Sequence, residues 1–321
     1  YCKNTRRLRT IMKSILVTGG LGFIGSNFIK HIFNKYDYNI FNVDLKTYAA
    51  SYSNISEEIN QSGRYSLSIC DINDTDRLRN LIQKNEINYI VNFAAESHVD
   101  NSINDSTPFV HTNINGTHSL LTLLHDCPTI ERYLQVSTDE VYGTLSEEDD
   151  AFTENTPIQA NSPYSASKAS ADLLCRSFYE TFKYPILITR CSNNYGPNQH
   201  EEKLIPLMIK NAKAGKKLPV YGNGKNIRDW IHVADHCSGI DAVLNGGTIG
   251  EVYNIGGKNE MRNIDIVKTI IYLLDKDEDQ IEFVKDRLGH DWRYAIDNSK
   301  IQNELNWLPS VNFQDGLKEL I

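Results

Sequence analysis

The side chains best suited to acid–base chemistry lie between Ser137 and Lys168. Thr138, Asp139 and Glu140 follow the apolar run Tyr133-Leu134-Gln135-Val136, while Tyr164 and Lys168 stand four residues apart behind Pro163. The first group reads as the carboxyl end of a buried parallel strand, where open α/β sheets hold their ligands. The second reads as a helix start, with Ser162 as cap and Pro163 at the first position, so that Tyr164 and Lys168 share a face. An ammonium beside a phenol favours phenolate and draws a pKa of about 10 toward neutrality, which makes tyrosine a base. The same spacing recurs at Tyr179/Lys183, Tyr221/Lys225 and Tyr272/Lys276. Only Tyr164 follows a strand-end Thr-Asp-Glu and opens a helix of small residues, Ser165 to Ser167 and Ala169 to Ala171, that permits close approach.

Positioning these groups requires a sheet, and the chain alternates accordingly. Ile15-Leu16-Val17 reads as a strand, Thr18 to Gly25 as a glycine turn, and Ser26 to Phe33 as a helix. Gly19, Gly22 and Gly25 let backbone approach a pyrophosphate at a helix N-terminus, where amides and dipole favour negative charge. The next strand, Ile40 to Val43, ends in Asp44, positioned to take both adenine-ribose hydroxyls and so to favour NAD over NADP, with Lys46 nearby as a contrary signal. Ser66 to Cys70 leads to Asp71, a partner for the adenine amine or a cap for the following helix. Tyr89 to Phe93 leads to Ala94 and Ala95, small enough to admit a dinucleotide, and Thr107 to His125 reads as one long helix. The Tyr133 strand, the Pro163 to Lys183 helix and the Pro185 to Thr189 strand complete a doubly wound parallel sheet of the Rossmann type. The strand ends at Thr18, Asp44, Asp71, Ala95, Thr138 and Cys191 are then expected to line one cleft. Domain boundaries are expected at 12–190 for the nucleotide-binding unit, with about 231–258 returning to it, and 191–321 for a smaller mixed α/β substrate unit.

Beyond Arg190, the run Cys191 to Asn198 suits recognition of a sugar or nicotinamide amide, or is simply a loop. Lys203, Arg228, Arg287 and Arg293 are candidates for holding phosphate, each alternatively a solvated charge. His232 and His236 share a helical face, yet no third ligand is evident, so no metal is expected. The net charge of −8 argues against a general nucleic-acid or membrane-surface binder. Cys2, Cys70, Cys127, Cys175, Cys191 and Cys237 form no CxxC pair and read as reduced residues of a cytoplasmic protein. Residues 1–11 are basic without an acid and read as a leader or appended segment. No apolar run approaches the ~18 residues of a membrane span.

The segments TGGLGFIG, AAESHVD, STDEVYG, YSASK, RCSNNYGP, EKLIP, IRDWIHV, YNIGG, NEMRNID and VKDRLGHDWRYAID occur in that order along nearly the whole chain. Together they resemble the dTDP-glucose 4,6-dehydratases, extended short-chain dehydrogenase/reductases that modify nucleotide sugars, and Thr138-Asp139-Glu140 is the most diagnostic part. The resemblance implies an NAD cofactor bound by Gly19, Gly22, Phe23, Ile24, Gly25, Asp44, Asp71, Ile72, Ala94, Ala95, Ser97, Thr112, Ser137, Tyr164, Lys168, Cys191 and Asn193. It implies substrate contacts from Ser97, His98, Thr138, Asn194, Lys203, Leu204, Pro219, Tyr221, Arg228, Asn263, His290 and Tyr294, with Arg228 on the diphosphate. Leu21, Asn101, Leu288 and Trp292 depart from the family pattern without removing a catalytic group.

The implied reaction oxidises carbon 4 of glucose with Tyr164 as base, supported by Lys168 and with Thr138 bonded to the carbon 4 oxygen. Glu140 then removes the carbon 5 proton while a protonated Asp139 helps the carbon 6 hydroxyl leave, and hydride returns to carbon 6. Two adjacent carboxyls in opposite protonation states require environments that split their pKa values. The resemblance further implies a homodimer through the Thr107 and Pro163 helices. Other readings are a dehydratase or 4-epimerase acting on UDP- or CDP-sugars, against which the Asp139/Glu140 pair discriminates for the epimerase, and an inactive NAD-binding scaffold.

Overall fold

The computed structural model describes residues 12–321. The segment read as a leader or appended stretch, together with Cys2, lies outside the described residues. Six strands, β1 (Ser14–Thr18), β2 (Asn39–Asp44), β3 (Tyr65–Ile69), β4 (Tyr89–Asn92), β5 (Arg132–Thr138) and β6 (Ile186–Cys191), alternate with helices. Six further strands follow: β7 (Asn193–Tyr195), β8 (Leu218–Tyr221), β9 (Ile227–His232), β10 (Val252–Ile255), β11 (Glu260–Arg262) and β12 (Ile281–Val284).

The main sheet runs β10-β6-β5-β4-β1-β2-β3 with every pairing parallel. Strands β1 and β6 are buried along their whole length, as continuous apolar runs covered on both faces must be. Helices Phe23–Lys35 and Val233–Gly246 cover one face, where Phe28, Ile29, Ile32, Ile240 and Val243 pack on Ile15, Val17 and Leu187. Helices Thr75–Lys84, Thr117–Thr122 and Pro163–Phe182 cover the other, where Leu78, Ile82, Leu120 and Cys175 pack on Leu16, Ile90 and Tyr133. The strand order reverses between β1 and β4, and the crevice at such a switch point is where doubly wound sheets bind ligands. Helix Val233–Gly246 and β10 thus belong to the main sheet, whereas β9 sits in a separate sheet between β11 and β7. With the parallel pair β8 and β12, that sheet forms the smaller C-terminal module around Ile205, Met208, Trp230 and Ile266.

Inside the main sheet, Thr18 donates to Asn92, while Asn92 and the Tyr133 hydroxyl both donate to Gln135 Oε1 at 2.9 and 2.7 Å. A satisfied polar ladder of this kind fixes strand register at little cost. The long helix expected over 107–125 is interrupted: Val110–Gly116 is a π-helical stretch between short turns. The wider turn directs Asn113 inward, where Oδ1 accepts from the Glu96 N–H (2.9 Å) and Nδ2 donates to the Glu96 carbonyl (3.0 Å) and Ser167 Oγ (2.8 Å). Cys70, Cys127, Cys175, Cys191 and Cys237 are all buried free thiols. Among the described residues, no helix is long and apolar enough to cross a membrane.

Candidate active site

A cleft of about 310 Å³ follows the carboxyl ends of the main sheet. At its nucleotide end the glycine turn leaves no room for side chains. Gly19 adopts φ +68°, and a Cβ there would lie 2.7 Å from the Ala94 nitrogen; one on Gly25 would lie 2.4 Å from the Gly19 carbonyl. Helix Phe23–Lys35 begins behind an extended Gly22 with no side-chain cap and no acid in its first turn, so its leading N–H groups are available to an anion. Asp44 accepts from the Leu21 N–H at 2.9 Å and the Lys46 N–H at 2.6 Å, which leaves a lone pair on each oxygen for a ribose. Asp71 accepts from Asn73 and faces His111 at 3.0 Å; the following helix is capped by Asp74, so the capping alternative for Asp71 does not hold. The cradle fits a dinucleotide.

Helix Pro163–Phe182 starts as its sequence requires, with Ser162 and Ser165 forming a reciprocal capping box on either side of Tyr164. Ser102 Oγ accepts from the Tyr164 N–H at 3.2 Å, and Phe109 meets the phenol ring edge-on. Tyr164 and Lys168 both line the cleft. Burial, followed by the charges of Glu140, Cys191 and Asp139, pushes Tyr164 well above the ordinary phenol range, and only the Thr138 hydroxyl draws it back. Lys168 Nζ instead donates to the Val136 carbonyl at 2.7 Å, and no hydrogen bond joins it to the phenol among the described residues. Helical spacing puts the two on one face, but desolvation beside two carboxyls outweighs a cation tied to the backbone of β5.

The carboxyl pair is divided by its surroundings. Asp139 is 1% exposed; Oδ1 accepts from Thr138 Oγ1 at 3.3 Å, and Oδ2 is buried without a partner. Burial, then Glu140 and Asp229, pushes it well above the usual carboxylate range, which keeps it protonated. Glu140 is half-buried and is also pushed up by burial, but Arg287, Arg228 and Lys203 pull it back toward the ionised form. The two carboxyls thus stand side by side in unequal surroundings, as an acid–base pair requires.

Those three cations define the other end. Arg228 is buried against the Tyr294 ring at 4.2 Å and donates only to the carbonyls of Ile227, Asp291 and Trp292. Among the described residues no carboxylate lies within ion-pair distance of it. Lys203 donates to the Ser97 carbonyl at 3.0 Å, and Arg287 approaches Asp100 only to 3.9 Å. A buried Arg228 with no carboxylate partner, flanked by the half-buried Lys203 and Arg287, suits a diphosphate. Arg293, grouped with them from sequence, is neutralised by a two-pronged pair with Glu260 at 2.6 and 2.9 Å.

All the catalytic and cofactor residues expected from sequence line the cleft, as do Ser97, Thr138, Asn194 and Lys203 among the substrate residues. His98, Leu204, Pro219, Tyr221, Arg228, Asn263, His290 and Tyr294 do not. Most of them lie around the cations: Tyr221 donates to Asp100, the carboxylate Arg287 approaches, at 3.4 Å, His98 faces Glu202, beside Lys203, at 3.9 Å, His290 stands edge-on to Tyr221 at 6.2 Å, and Tyr294 underlies Arg228. Asn263 Oδ1 is buried with no partner, while Pro219 lies on β8 and Leu204 opens helix Leu204–Lys213. The two histidines of the helical pair go separate ways. His232 caps helix Val233–Gly246, and His236, which burial draws down to about 3, bonds Asn194 Oδ1 at 2.8 Å.

Comparison with known proteins follows this geometry. A family model described as GDP-mannose 4,6 dehydratase matches residues 16–320. A dTDP-glucose 4,6-dehydratase from Haemophilus influenzae is 46% identical over 97% of this chain and 97% of its own. The chain belongs to the dTDP-glucose 4,6-dehydratase family. The low-salt glycan biosynthesis protein Agl12 of Haloferax volcanii is 48% identical over 96% of this chain and 97% of its own. The crystal structure of the Bacillus anthracis str. Ames dTDP-glucose 4,6-dehydratase, solved in complex with NAD, superposes with a TM-score of 0.90 at 50% identity, covering 96% of this chain and 95% of that one.

In this dTDP-glucose 4,6-dehydratase family member, several cleft residues escaped the sequence reading: Leu45, Thr47, Ala49, Ala50, Glu96, Ser192, Gln199, His200 and Glu202. Leu45 to Ala50 directly follow the strand-end acid Asp44, a signal that proximity alone offered. Glu96 and Glu202 lie inside motifs already singled out, but their neighbours drew the attention. Nothing local marks Gln199 or His200, which reach the cleft through loop packing.

Proposed function

We propose that this chain converts dTDP-glucose to dTDP-4-keto-6-deoxyglucose with NAD as a resident cofactor. The observation that carries the reading is the neighbouring pair Asp139 and Glu140, divided into acid and base beside Tyr164 and next to a three-cation pocket. When bound, NAD⁺ would supply a hydride acceptor that later gives the hydride back, and its positive charge would draw the Tyr164 phenol back toward the phenolate that the base role needs. Phe23, Ile24 and Gly25 present the N–H groups for the pyrophosphate, and Asp44 takes the adenine ribose.

Arg228, Arg287 and Lys203 hold the substrate diphosphate and so orient the hexose toward β5. Tyr164 takes the proton from the carbon 4 hydroxyl as the ketone forms, with Thr138 donating to the same oxygen. The ketone acidifies the proton on carbon 5, and Glu140, ionised by its cations, removes it. Asp139 gives its proton to the hydroxyl departing from carbon 6, so water leaves. Lys168, anchored to Val136, supports the cofactor side of Tyr164. The chain's role in metabolism, on this reading, is cytoplasmic supply of a precursor for deoxysugars of the rhamnose type.

The chain is further proposed to act as a homodimer. Val110 and Leu173, 45% and 54% exposed, present apolar surface on the two segments expected at the interface. Gel filtration coupled to light scattering at working concentration gives a dimer if this holds and a monomer if it does not. The activity test is mass spectrometry of dTDP-glucose incubated with the protein alongside nicotinamide absorbance. Loss of one water without accumulating NADH is the expected result, and an unchanged mass sinks the proposal.

A further inference from the structure

Residues 197–203 cross from the nucleotide end of the cleft to the substrate end. At the near end, Asn27 Nδ2 donates to the Pro197 carbonyl at 2.9 Å and Asn198 Nδ2 to Ser26 Oγ at 3.1 Å, so the segment is moored to the first turns of the helix behind the glycine cradle. Asn198 takes a left-handed φ of 70°, which turns the chain over the cleft. At the far end, Lys203 Nζ reaches the Ser97 carbonyl. Between the moorings, Gln199 and His200 line the cleft, and Gln199 Oε1 is buried there with no hydrogen-bond partner. Buried polar atoms left unpaired by the protein are suited to meet a ligand.

Glu202 joins this segment to two others. Its Oε1 accepts from the Tyr48 hydroxyl at 3.1 Å, and its Oε2 faces His98 at 3.9 Å and His200 at 3.7 Å. Tyr48 belongs to the loop after Asp44, and the His200 ring stands edge-on to it at 5.4 Å. The Tyr48–Glu202 bond therefore closes the cleft from above, between the adenine-side loop and the loop bearing the phosphate-holding lysine.

We propose that residues 197–203 form a strap across the NAD cleft and that Tyr48 and Glu202 are its latch, with Glu202 a positioning residue that keeps the cofactor in place between the two hydride transfers. The inference rests on the functional reading above, because a hydride that is borrowed and returned requires the same nucleotide to stay bound. It adds the device that holds it. Opening the strap is the step that limits NAD exchange.

The experiment measures NAD release from purified protein, without sugar substrate, by following loss of bound nucleotide after dilution into excess labelled NAD. Tyr48→Phe removes the donor and Glu202→Ala the acceptor of the same charge-assisted bond, so each is expected to speed release by roughly tenfold. The double variant is expected to release no faster than the faster single one. Tyr48 is 49% exposed, so its loss spares the core. Asn27→Ala, which cuts the mooring at Pro197, is expected to accelerate release as well. Unchanged release in the Tyr48 and Glu202 variants, or effects of the two that simply add, overturns the latch. A wild-type chain that binds no NAD overturns the functional reading instead.

Discussion

Around the nucleotide end of the cleft, residues arrive at the carboxyl ends of successive strands: Asp44 from β2, Ala94 and Ala95 just beyond β4, Thr138 from β5 and Cys191 from β6. Around Arg228 they arrive from β8, from β9, from the turn opening helix Asn263–Leu273 and from the irregular stretch 286–294. In the first region a parallel sheet does the positioning, so each side chain's location follows from its place in a strand. In the second, location depends on how loops pack, and electrostatics rather than topology makes the site: three cations brought together around Arg228, which donates to carbonyls and to no carboxylate among the described residues.

Substitutions in the two regions should therefore fail differently, and the largest effects belong to the sheet ends. Tyr164→Phe should abolish oxidation, lowering turnover by about 10²–10⁴-fold, with no transient NADH in a single-turnover experiment. Glu140→Gln should still oxidise carbon 4 but stall before elimination, lowering turnover by roughly 10²–10³-fold. In deuterated water it should incorporate no label at carbon 5; full turnover in this variant would remove the base assignment. The pH profile sharpens the point. Glu140 must be ionised and its carboxyl is raised, so activity should fall as pH drops through a value above the ordinary carboxylate range. Asp139 must be protonated and is raised further, so its acid role should survive at neutral pH and fail only on the alkaline side. Asp139→Asn should erase that alkaline limb.

In the second region the loss should fall on binding. Arg228→Met should raise KM and weaken calorimetric binding of a nucleoside diphosphate by on the order of tenfold to a hundredfold, with a smaller change in kcat. If kcat falls instead and KM holds, Arg228 acts on the chemistry and the contrast between the regions dissolves. Back in the sheet, Asp44→Asn should weaken NAD about tenfold and narrow the preference over NADP, read by equilibrium dialysis. The smallest effect is on stability alone: Ser162→Ala removes one cap and should cost ~1 kcal/mol in urea unfolding.

The same contrast explains what was legible in the chain. The doubly wound sheet, the glycine cradle, Asp44, the capped Tyr164 helix and the Asp139/Glu140 pair are all readable because strand periodicity and helix capping are local rules. The partner of Lys168 was not legible, since i,i+4 spacing says that it shares a face with Tyr164 but not that its Nζ would bond the Val136 carbonyl. Arg293 was misgrouped because its partner, Glu260, lies on β11, thirty-three residues earlier in sequence. Gln199, His200 and Glu202 were passed over because a loop's course is set by its moorings, and those moorings lie far away in the chain, at Ser26, Asn27 and Tyr48.

The π-helical stretch Val110–Gly116 has a consequence for how this chain can vary in length. A π turn holds more residues than an α turn, so the segment stores a surplus that a single deletion would relax into regular helix. The helix beyond it would keep its phase, because the wide turn already absorbs the extra residue, so Leu120 and Leu121 would stay on the sheet. Asn113 would be drawn out of its inward position and lose its bonds to Glu96 and Ser167. A one-residue deletion between Phe109 and Thr117 is therefore expected to spare the core and to cost the tie between Glu96 and helix Pro163–Phe182, whereas a deletion in a regular turn would rotate everything beyond it by about 100°.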